Sequence, residues 1–229
     1  MQNILNEIPS RVLSGRLKAS VDFVSDSDIK NKVILDIGCG FGWCEMNFLK
    51  RGVSKIVGLE ISKNDLKTAK AYVQNPKVDF KVASAVKLPF KDESFDTVVC
   101  WEVIEHLPKR KEKKMFSEVS RVLKDEGIFY LSAPHSSFFS NILDPAWWLI
   151  GHRHYKTKRL ERMASADFKV LDVKILGGFW SLMNIVNMYL AKWIFRRGPF
   201  FKDFFNKKEN AEYKRDGGFV NIFIKFKKI

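Results

Sequence analysis

Three glycines and two acidic residues near the start of the chain have the spacing of a site for a ribose-containing cofactor. Gly38, Gly40 and Gly42 form a GxGxG pattern directly after an apolar run. Glycines lack a Cβ atom, so backbone N–H groups and the start of the next helix can approach a ligand closely. Asp36 precedes the loop, and Glu60 ends the next apolar run, where an acid meets ribose hydroxyls in such folds. The dinucleotide fingerprint GxGxxG is not matched.

A second group of chemically competent residues follows a later apolar run. Glu102, Glu105 and His106 form an ExxEH cluster. Two carboxylates and an imidazole can coordinate a divalent cation, and the oxygen ligands favour Mg²⁺ or Mn²⁺. The alternative is that these side chains only support the turn in which they lie. In both cases His106 is the best single candidate for a general base.

Three further histidines, His135, His152 and His154, lie after the fifth predicted strand. Residues that bind an acceptor are expected there, at the carboxyl end of the sheet. A neutral histidine can take a proton from a hydroxyl group. The alternative is that the segment around His152 and His154 caps and orients the next helix. A transfer reaction can also rely mainly on positioning the two reactants, without a base.

These residues have to be positioned by an alternation of short apolar runs and helix-like segments. The predicted strands are 33–37, 55–59, 78–82, 97–100, 128–131, 168–176 and 219–226. The predicted helices are 44–50, 65–73, 112–123 and 158–166, with one or two more before residue 31. Strands that alternate with helices predict an α/β fold with a parallel sheet.

The ordered motifs resemble the class I S-adenosylmethionine (SAM)-dependent methyltransferase family. After the glycine loop and its acidic partner, the resemblance continues through residues 88–98, the ExxEH turn, the fifth strand at 127–133 and the His-Tyr segment at 151–157. It covers roughly residues 31–176. It implies a Rossmann-like, mostly parallel seven-stranded sheet with an antiparallel last strand, helices on both faces, and a helical cap with an insertion between the last two strands.

The resemblance implies that the glycine loop holds the methionyl part of SAM. Gly38, Cys39, Gly40 and Gly42 would border that part of the cofactor, and Asp36 would orient the loop.

The ribose and adenine of SAM are implied to lie on the next strands. Glu60 would accept hydrogen bonds from both ribose hydroxyls, and Ile61 would lie against adenine. Many relatives bind the adenine amino group with an Asp after the third strand, where this chain offers Ser84 or the Ala85 backbone. Trp101 would face the cofactor.

The acceptor side carries the remaining candidate residues. The predicted acceptor-binding residues are Glu102, His135, His152, Tyr155 and Trp180, and the predicted catalytic residues are His106 and His154. The ExxEH string resembles that of ubiquinone-pathway O-methyltransferases and small-RNA 2′-O-methyltransferases, where it serves a metal. Mg²⁺ held by Glu102, Glu105 and His106 is thus a candidate, although relatives without a known metal carry a similar string.

A hydrophobic and basic insertion separates the last two predicted strands, at residues 177–216. Between Lys174 and Lys192 the chain holds 17 uncharged residues, fewer than the about 20 apolar residues of a spanning helix. Aromatic and basic residues alternate after it, which is typical of a segment at a membrane interface. The segment 177–208 is therefore predicted to contact an anionic membrane surface. A lid over the active site and a homodimer contact are the alternatives.

The net charge of +14 invites anionic partners, and its distribution decides among them. Residues 31–100 hold 11 basic against 8 acidic groups, whereas residues 192–229 hold 11 against 4. The excess belongs to the insertion side of the chain, so a membrane or a lipid-like acceptor is favoured over nucleic acid. A large, partly apolar acceptor also suits the aromatic loop at 134–157.

Composition places the protein among ordinary globular chains. It is 46% hydrophobic and 29% charged, which excludes collagen-like and mostly disordered chains. Three cysteines without a scaffold spacing, and a start without an apolar h-region, predict a cytoplasmic protein, peripheral at the membrane. The predicted organisation is a helical cap segment at 1–30 and one methyltransferase domain at 31–229.

These observations predict an enzyme that transfers the SAM methyl group to an oxygen atom of a small or lipid-like acceptor. One alternative is an RNA methyltransferase that uses the basic surface and a metal in the ExxEH cluster. A second is a non-catalytic, membrane-associated SAM-binding module.

Overall fold

The structure is a computed structural model that describes residues 8–229, apart from the side chain of Ile150. The first seven residues of the predicted cap segment at 1–30 lie outside the described residues.

A seven-stranded sheet forms the centre of the molecule. Its strands are β1 Val33–Ile37, β2 Lys55–Glu60, β3 Val78–Val82, β4 Phe95–Trp101, β5 Leu123–Pro134, β6 Phe168–Leu176 and β7 Asn221–Lys228. Their order across the sheet is β3-β2-β1-β4-β5-β7-β6. The first five strands pair in parallel, whereas β7 runs antiparallel to both β5 and β6. The predicted Rossmann-like sheet, with its antiparallel last strand, is confirmed.

Helices surround this sheet. They are α1 Gly15–Phe23, α2 Trp43–Lys50, α3 Lys63–Tyr72, α4 Glu112–Val122, α5 Phe138–Leu143, α6 Pro145–Ile150, α7 Thr157–Ala164, α8 Phe179–Tyr189 and α9 Lys202–Glu212. A π-helical segment, Leu190–Ile194, continues α8.

The core lies on both faces of the sheet because successive strand residues point to opposite sides. On β1, Leu35 packs into a cluster with Phe116 of α4. Its neighbour Ile34 packs into a second cluster with Phe48 of α2. All four side chains are fully buried. The sheet is thereby held rigid, with the carboxyl ends of β1, β2 and β4 at one edge.

The insertion between β6 and β7 folds into the helices α8 and α9. The carboxylate of Glu212, at the end of α9, accepts hydrogen bonds from the backbone N–H groups of Gly178 (3.0 Å), Trp180 (2.9 Å) and Ser181 (2.8 Å) at the start of α8. These N–H groups have no carbonyl partner within their own helix, so a carboxylate there satisfies them and complements the helix dipole. The two helices therefore run antiparallel as one hairpin.

Helix α1 attaches to this hairpin. The Ser14 hydroxyl donates to Asn206 Oδ1 (3.0 Å), and the Gly15 N–H donates to Asn210 Oδ1 (2.8 Å). The segment before the sheet and the segment between the last two strands thus meet above the carboxyl ends of the strands.

Among residues 8–229, no helix combines the length and the apolar character that a transmembrane span requires.

Four predicted strands differ in extent from the observed ones: β2 is one residue longer, β4 is three residues longer, and β5 and β7 differ more. β5 begins at Leu123 instead of Ile128, because Leu123 pairs with Phe95 before the register shifts at Thr97. β7 is displaced two residues towards the carboxyl terminus, because its pairing with β6 extends to Lys228. The sequence pattern identifies the apolar centre of each strand, but it does not show how far the pairing with neighbouring strands extends.

Candidate active site

The glycine loop turns sharply between β1 and α2 and is suspended from the end of β2. The N–H groups of Gly38 and Cys39 both donate to the Leu59 carbonyl (2.7 and 3.1 Å). Gly38, Gly40 and Gly42 all have positive φ, at 80°, 53° and 86°. Side chains with a Cβ rarely adopt this backbone, so the spacing of the glycines follows from the shape of the turn.

Glu60 closes the loop from the neighbouring strand. Its Oε2 accepts a hydrogen bond from the Gly40 N–H (3.2 Å), and its Oε1 accepts from the N–H groups of Ile61 (2.7 Å) and Ser62 (2.9 Å). Parallel pairing of β1 and β2 brings the two strand ends together at this edge of the sheet. Glu60 is thus fixed by three backbone donors at the place where the sequence predicts a ribose.

A pair of carboxylates is buried beneath the loop. Asp36 and Glu45 are 1% and 0% exposed. The Glu45 carboxylate fits because the β2 residue paired with Asp36 is a glycine, Gly58. A Cβ at that position would lie 2.5 Å from Glu45 Oε1. Burial raises the pKa of both carboxyl groups, and the Asp36 charge raises that of Glu45 further. The protonated form is therefore favoured in this pair more than in ordinary carboxyl groups, and the pair supports the loop from below.

One cavity of about 1210 Å³ opens above these strand ends. Ligand sites usually occupy about 300–1,000 Å³, so this one has room for a cofactor and an acceptor together. Its cofactor side is lined by predicted residues, namely Gly38, Gly40, Glu60, Ile61, Ser84, Ala85 and Trp101. Asp36, Cys39 and Gly42 do not line it. The Cys39 side chain packs against Leu66, and Asp36 lies below the loop, so these residues shape the loop from behind.

Glu102 is held by the protein itself. Its Oε1 accepts from the Ser132 hydroxyl (2.7 Å) and its Oε2 accepts from Asn221 Nδ2 (2.9 Å). Arg16 of α1 lies 3.9 Å from Oε2. With both oxygens engaged, Glu102 ties β4 to β5, β7 and the cap. The predicted ligand set of Glu102, Glu105 and His106 is therefore not assembled.

A different set is assembled from Glu105, His106 and His152. One ligand atom from each lies within 4.8 Å of those of the others. His152 Nε2 is 3.2 Å from His106 Nε2 and 3.6 Å from Glu105 Oε1. Both Glu105 oxygens are buried and accept no hydrogen bond from residues 8–229. A cation would satisfy them, so these three residues fit a divalent metal.

The ionisation of this cluster follows from its burial. Burial, and secondarily the charge of Glu102, raise the pKa of Glu105 well above its usual range. His106 is exposed at the cavity, but desolvation of its ring by the surrounding residues and the adjacent His152 lower its pKa to about 4. His106 is consequently neutral at physiological pH and keeps a lone pair for a metal or a proton.

His154 is buried between two oxygen atoms. Its Nδ1 lies 2.8 Å from Asn141 Oδ1, and its Nε2 lies 2.8 Å from Asp144 Oδ2. Asp144 also accepts from the Ala146 N–H with Oδ1 (2.9 Å), as the N-cap of α6. Both ring nitrogens face acceptors, which favours a positioning role for His154 over the predicted catalytic role.

Three predicted acceptor residues do not line the cavity. Tyr155 is fully buried and its hydroxyl donates to the Ile104 carbonyl (3.2 Å). His135 directs Nδ1 at the Phe219 carbonyl (3.3 Å), and Trp180 packs against Phe204 of α9. Tyr155 and His135 instead tie the segment after β5 to Ile104 and Phe219. The helix that follows, α7, has Lys156 as its N-cap without a side-chain hydrogen bond, so the predicted capping role is not seen.

The acceptor side also contains residues that sequence reasoning missed. Arg16, Asp144, Tyr189, Lys192 and Asn221 line the cavity together with Leu182, Ile185 and Met188 of α8. The Asp-Pro pair at 144–145 is a helix-start signal, which marks α6 but not a site. For Arg16 and Asn221 no local signal exists, because only tertiary packing brings them here.

The fold and this site define a SAM-dependent methyltransferase of class I. A family model described as a methyltransferase domain matches residues 35–131. The ubiquinone biosynthesis O-methyltransferase of Pelagibacter ubique is 32% identical over 190 residues, which are 74% of this chain and 78% of that protein. The chain belongs to the class I SAM-dependent methyltransferase family, and its cofactor is SAM.

Other comparisons agree on the fold. An uncharacterised protein of Haemophilus influenzae is 31% identical over 124 residues, which are 52% of this chain, and the chain spans only about half (49%) of that relative. The solved structure of the cyclase SpnF superposes with a TM-score of 0.72 at 18% identity, over 98% of this chain and 90% of that chain. At this identity the likeness shows the fold alone, and the acceptor has to be argued from the site.

Proposed function

We propose that the protein transfers the SAM methyl group to a hydroxyl oxygen of a largely apolar acceptor. One observation carries the proposal: the glycine loop clasped by Glu60 and the cluster of Glu105, His106 and His152 face the same cavity. The cluster offers lone pairs and a carboxylate where the acceptor must meet the methyl group. The P. ubique relative, which by its name methylates oxygen, adds support.

The residues of the chain divide the work between positioning and deprotonation. Glu60 holds the ribose, and the backbone of Gly38 and Gly40 borders the methionyl part. Leu182, Ile185 and Met188 of α8 provide an apolar wall for the acceptor and exclude water. Holding the hydroxyl in line with the methyl group supplies much of the rate enhancement. When no metal occupies the cluster, neutral His106 has a free lone pair and is the group that accepts the hydroxyl proton.

We propose further that Glu105, His106 and His152 hold a divalent metal. Two imidazoles and one carboxylate suit Zn²⁺, Mn²⁺ or Fe²⁺ better than Mg²⁺, which prefers an all-oxygen shell. Such an ion lowers the pKa of an oxygen that it coordinates. Glu105, which is otherwise unsatisfied, would neutralise part of its charge.

Metal binding is tested by calorimetric titration with Mn²⁺ and Zn²⁺, and by elemental analysis of the purified protein. We expect His152→Asn to lose the metal and Glu102→Gln to retain it. If Glu102→Gln loses the metal and His152→Asn retains it, the ligands are Glu102, Glu105 and His106, as predicted from the sequence. Absence of binding by the wild type would leave His106 as a base without a metal.

The reaction is tested with SAM that carries a radioactive methyl group, offered in parallel to total lipid extract and to total RNA. Label in the organic phase, lost in Glu60→Ala, is the expected result. Label in RNA would instead support the RNA methyltransferase alternative. Binding of SAM without transfer to either fraction would support a non-catalytic module.

A further inference from the structure

The outer side of the cap exposes large apolar side chains. Six of them define what we term the outer apolar face: Phe138, Trp148, Leu149, Ile194, Phe195 and Phe201. Each is between 59 and 79% exposed. Soluble proteins rarely group such side chains unless the surface binds something.

The helices that bear the outer apolar face pack on one another. Both α5 and α6 contact α8, the π-helical segment continues α8, and α8 contacts α9. The same helices line the cavity on their inner side, through Asp144 and Ala146 of α6 and Ile185 and Met188 of α8. The helices that carry the exposed apolar side chains therefore also line the acceptor site.

Cationic groups are interleaved with the rings of this layer. The Arg197 guanidinium lies 4.5 Å from the centre of the Phe200 ring. The Lys208 ammonium lies 5.1 Å from the Trp180 ring and 5.6 Å from the Phe204 ring. The Phe204 ring is exposed, whereas the Phe200 and Trp180 rings are half-buried. Cations beside such rings match a bilayer interface, where rings sit at headgroup depth and basic groups meet anionic lipid.

The composition of the face distinguishes a bilayer from other occupants. Leu149 and Ile194 are aliphatic and cannot stack on nucleic acid bases as rings do. A second copy of the chain would bring a second basic segment against the first, since residues 192–229 carry 11 basic and 4 acidic groups. An anionic bilayer accepts the aliphatic, aromatic and cationic groups together.

We propose that the outer apolar face, with the cations around it, docks the protein on an anionic bilayer. The docking surface extends beyond the insertion at 177–208 and includes α5 and α6. Docking on a bilayer also gives the proposed reaction a source of acceptor, because the apolar acceptor enters the cavity from the lipid beneath the cap. This last step rests on the proposed function.

Vesicle flotation tests the docking without SAM or an acceptor. Vesicles of phosphatidylcholine alone are compared with vesicles of phosphatidylcholine and phosphatidylglycerol in equal parts. We expect the protein to float with the anionic vesicles and to be released by salt. Failure to float with either vesicle would overturn the proposal, as would tighter binding to total RNA with no competition from vesicles.

Paired variants locate the surface. The double variant Ile194→Ser/Phe195→Ser should lose flotation, whereas Val82→Ser/Leu171→Ser, at exposed apolar positions on the edge strands, should not. Arg196→Glu/Arg197→Glu should lower the partition coefficient at least about tenfold, and Lys67→Glu/Lys70→Glu on α3 should leave it near that of the wild type. Equal loss in test and control pairs would refute this location. Unchanged SAM affinity shows that each variant is folded.

The docking and the proposed reaction can fail separately. Glu60→Ala should float like the wild type although its affinity for SAM is reduced. Flotation without lipid methylation would refute the lipid acceptor and leave the docking intact. Lipid methylation by a protein that does not float would refute the docking alone. Concentration-dependent dimerisation that is abolished by Ile194→Ser/Phe195→Ser would assign the face to a second copy and overturn the proposal.

Discussion

Glu60 Oε2 lies 3.2 Å from the backbone nitrogen of Gly40, so the acid at the end of β2 closes the glycine loop at the end of β1. Gly40 is also a position where an added Cβ would meet no atom within 4 Å. The loop is therefore held from one side and open on the other, which is the arrangement that a cofactor-binding backbone needs.

Removal of the Glu60 carboxylate should weaken SAM binding strongly. Hydrogen bonds to a charged acceptor contribute about 1.5–3 kcal/mol, so Glu60→Ala should raise the dissociation constant of SAM roughly tenfold to a hundredfold or more. Glu60→Gln should fall between the wild type and Glu60→Ala. Isothermal titration calorimetry measures this, with Asp125→Ala on the exposed part of β5 as the control. If Glu60→Ala binds SAM with full affinity, Glu60 does not bind the ribose.

Alanine at two glycines of the same loop should produce opposite defects. Both positions have positive φ, which costs alanine about 1 kcal/mol. A Cβ at Gly38 would lie 2.3 Å from Val103 Cγ2, so Gly38→Ala should lose about 1–3 kcal/mol more of the free energy of unfolding. Gly40→Ala should lose little stability but most of its SAM affinity. Denaturant unfolding and calorimetry on both variants separate the two effects, and equal stability would contradict the clash.

The hairpin of the cap should depend on Glu212. Glu212→Ala removes the acceptor of three N–H groups at the start of α8, and a lost helix cap costs about 0.5–2 kcal/mol. Urea unfolding should show this loss, with Glu161→Ala on α7 as the control. Glu212→Gln should recover part of it. If Glu212→Ala is as stable as the wild type, water replaces the carboxylate and the cap is not held by this contact.

The buried carboxylates Asp36 and Glu45 should make stability fall as pH rises. Their pKa values are raised in the folded protein, so between the usual carboxyl range near pH 4 and the raised values the folded chain binds more protons than the unfolded chain. The free energy of unfolding must then decrease as pH rises through this interval. Glu45→Gln should flatten the dependence, measured as the change in melting temperature between pH 5 and pH 8. An unchanged slope would show that the pair is not responsible.

Much of the cofactor side could be predicted because its determinants are local. The turn from β1 to α2 requires glycines whatever surrounds it, and an acid at the end of the adjacent parallel strand must lie beside that turn. Glu60 and Gly40 accordingly line the cavity, and β1 and β6 have the predicted bounds. Hydrophobic periodicity and turn preferences depend on residues that are close together in the chain, so they can be recognised directly in the sequence.

The acceptor side could be predicted only in part because it is assembled from distant segments. His106 and His152 come within 3.2 Å although 46 positions separate them, and Glu102 is drawn from the cluster by Ser132 and Asn221. Tyr155 looks like a substrate residue by its position after β5, yet it fills the core. Packing between distant helices and strands decides which polar side chains face the cavity. The spacing of residues along the chain does not contain this information.

The contact of Glu212 with the first turn of α8 also limits how the cavity can open. The hairpin of α8 and α9 joins the sheet at its two ends, and each junction contains a glycine with positive φ, Gly177 and Gly217. Because the end of α9 is bonded to the beginning of α8, displacing α8 alone would break three hydrogen bonds, whereas rotation at both glycines would break none of them. Any ligand that enters by lifting α8 must therefore move α9 with it, as one rigid body with two pivots.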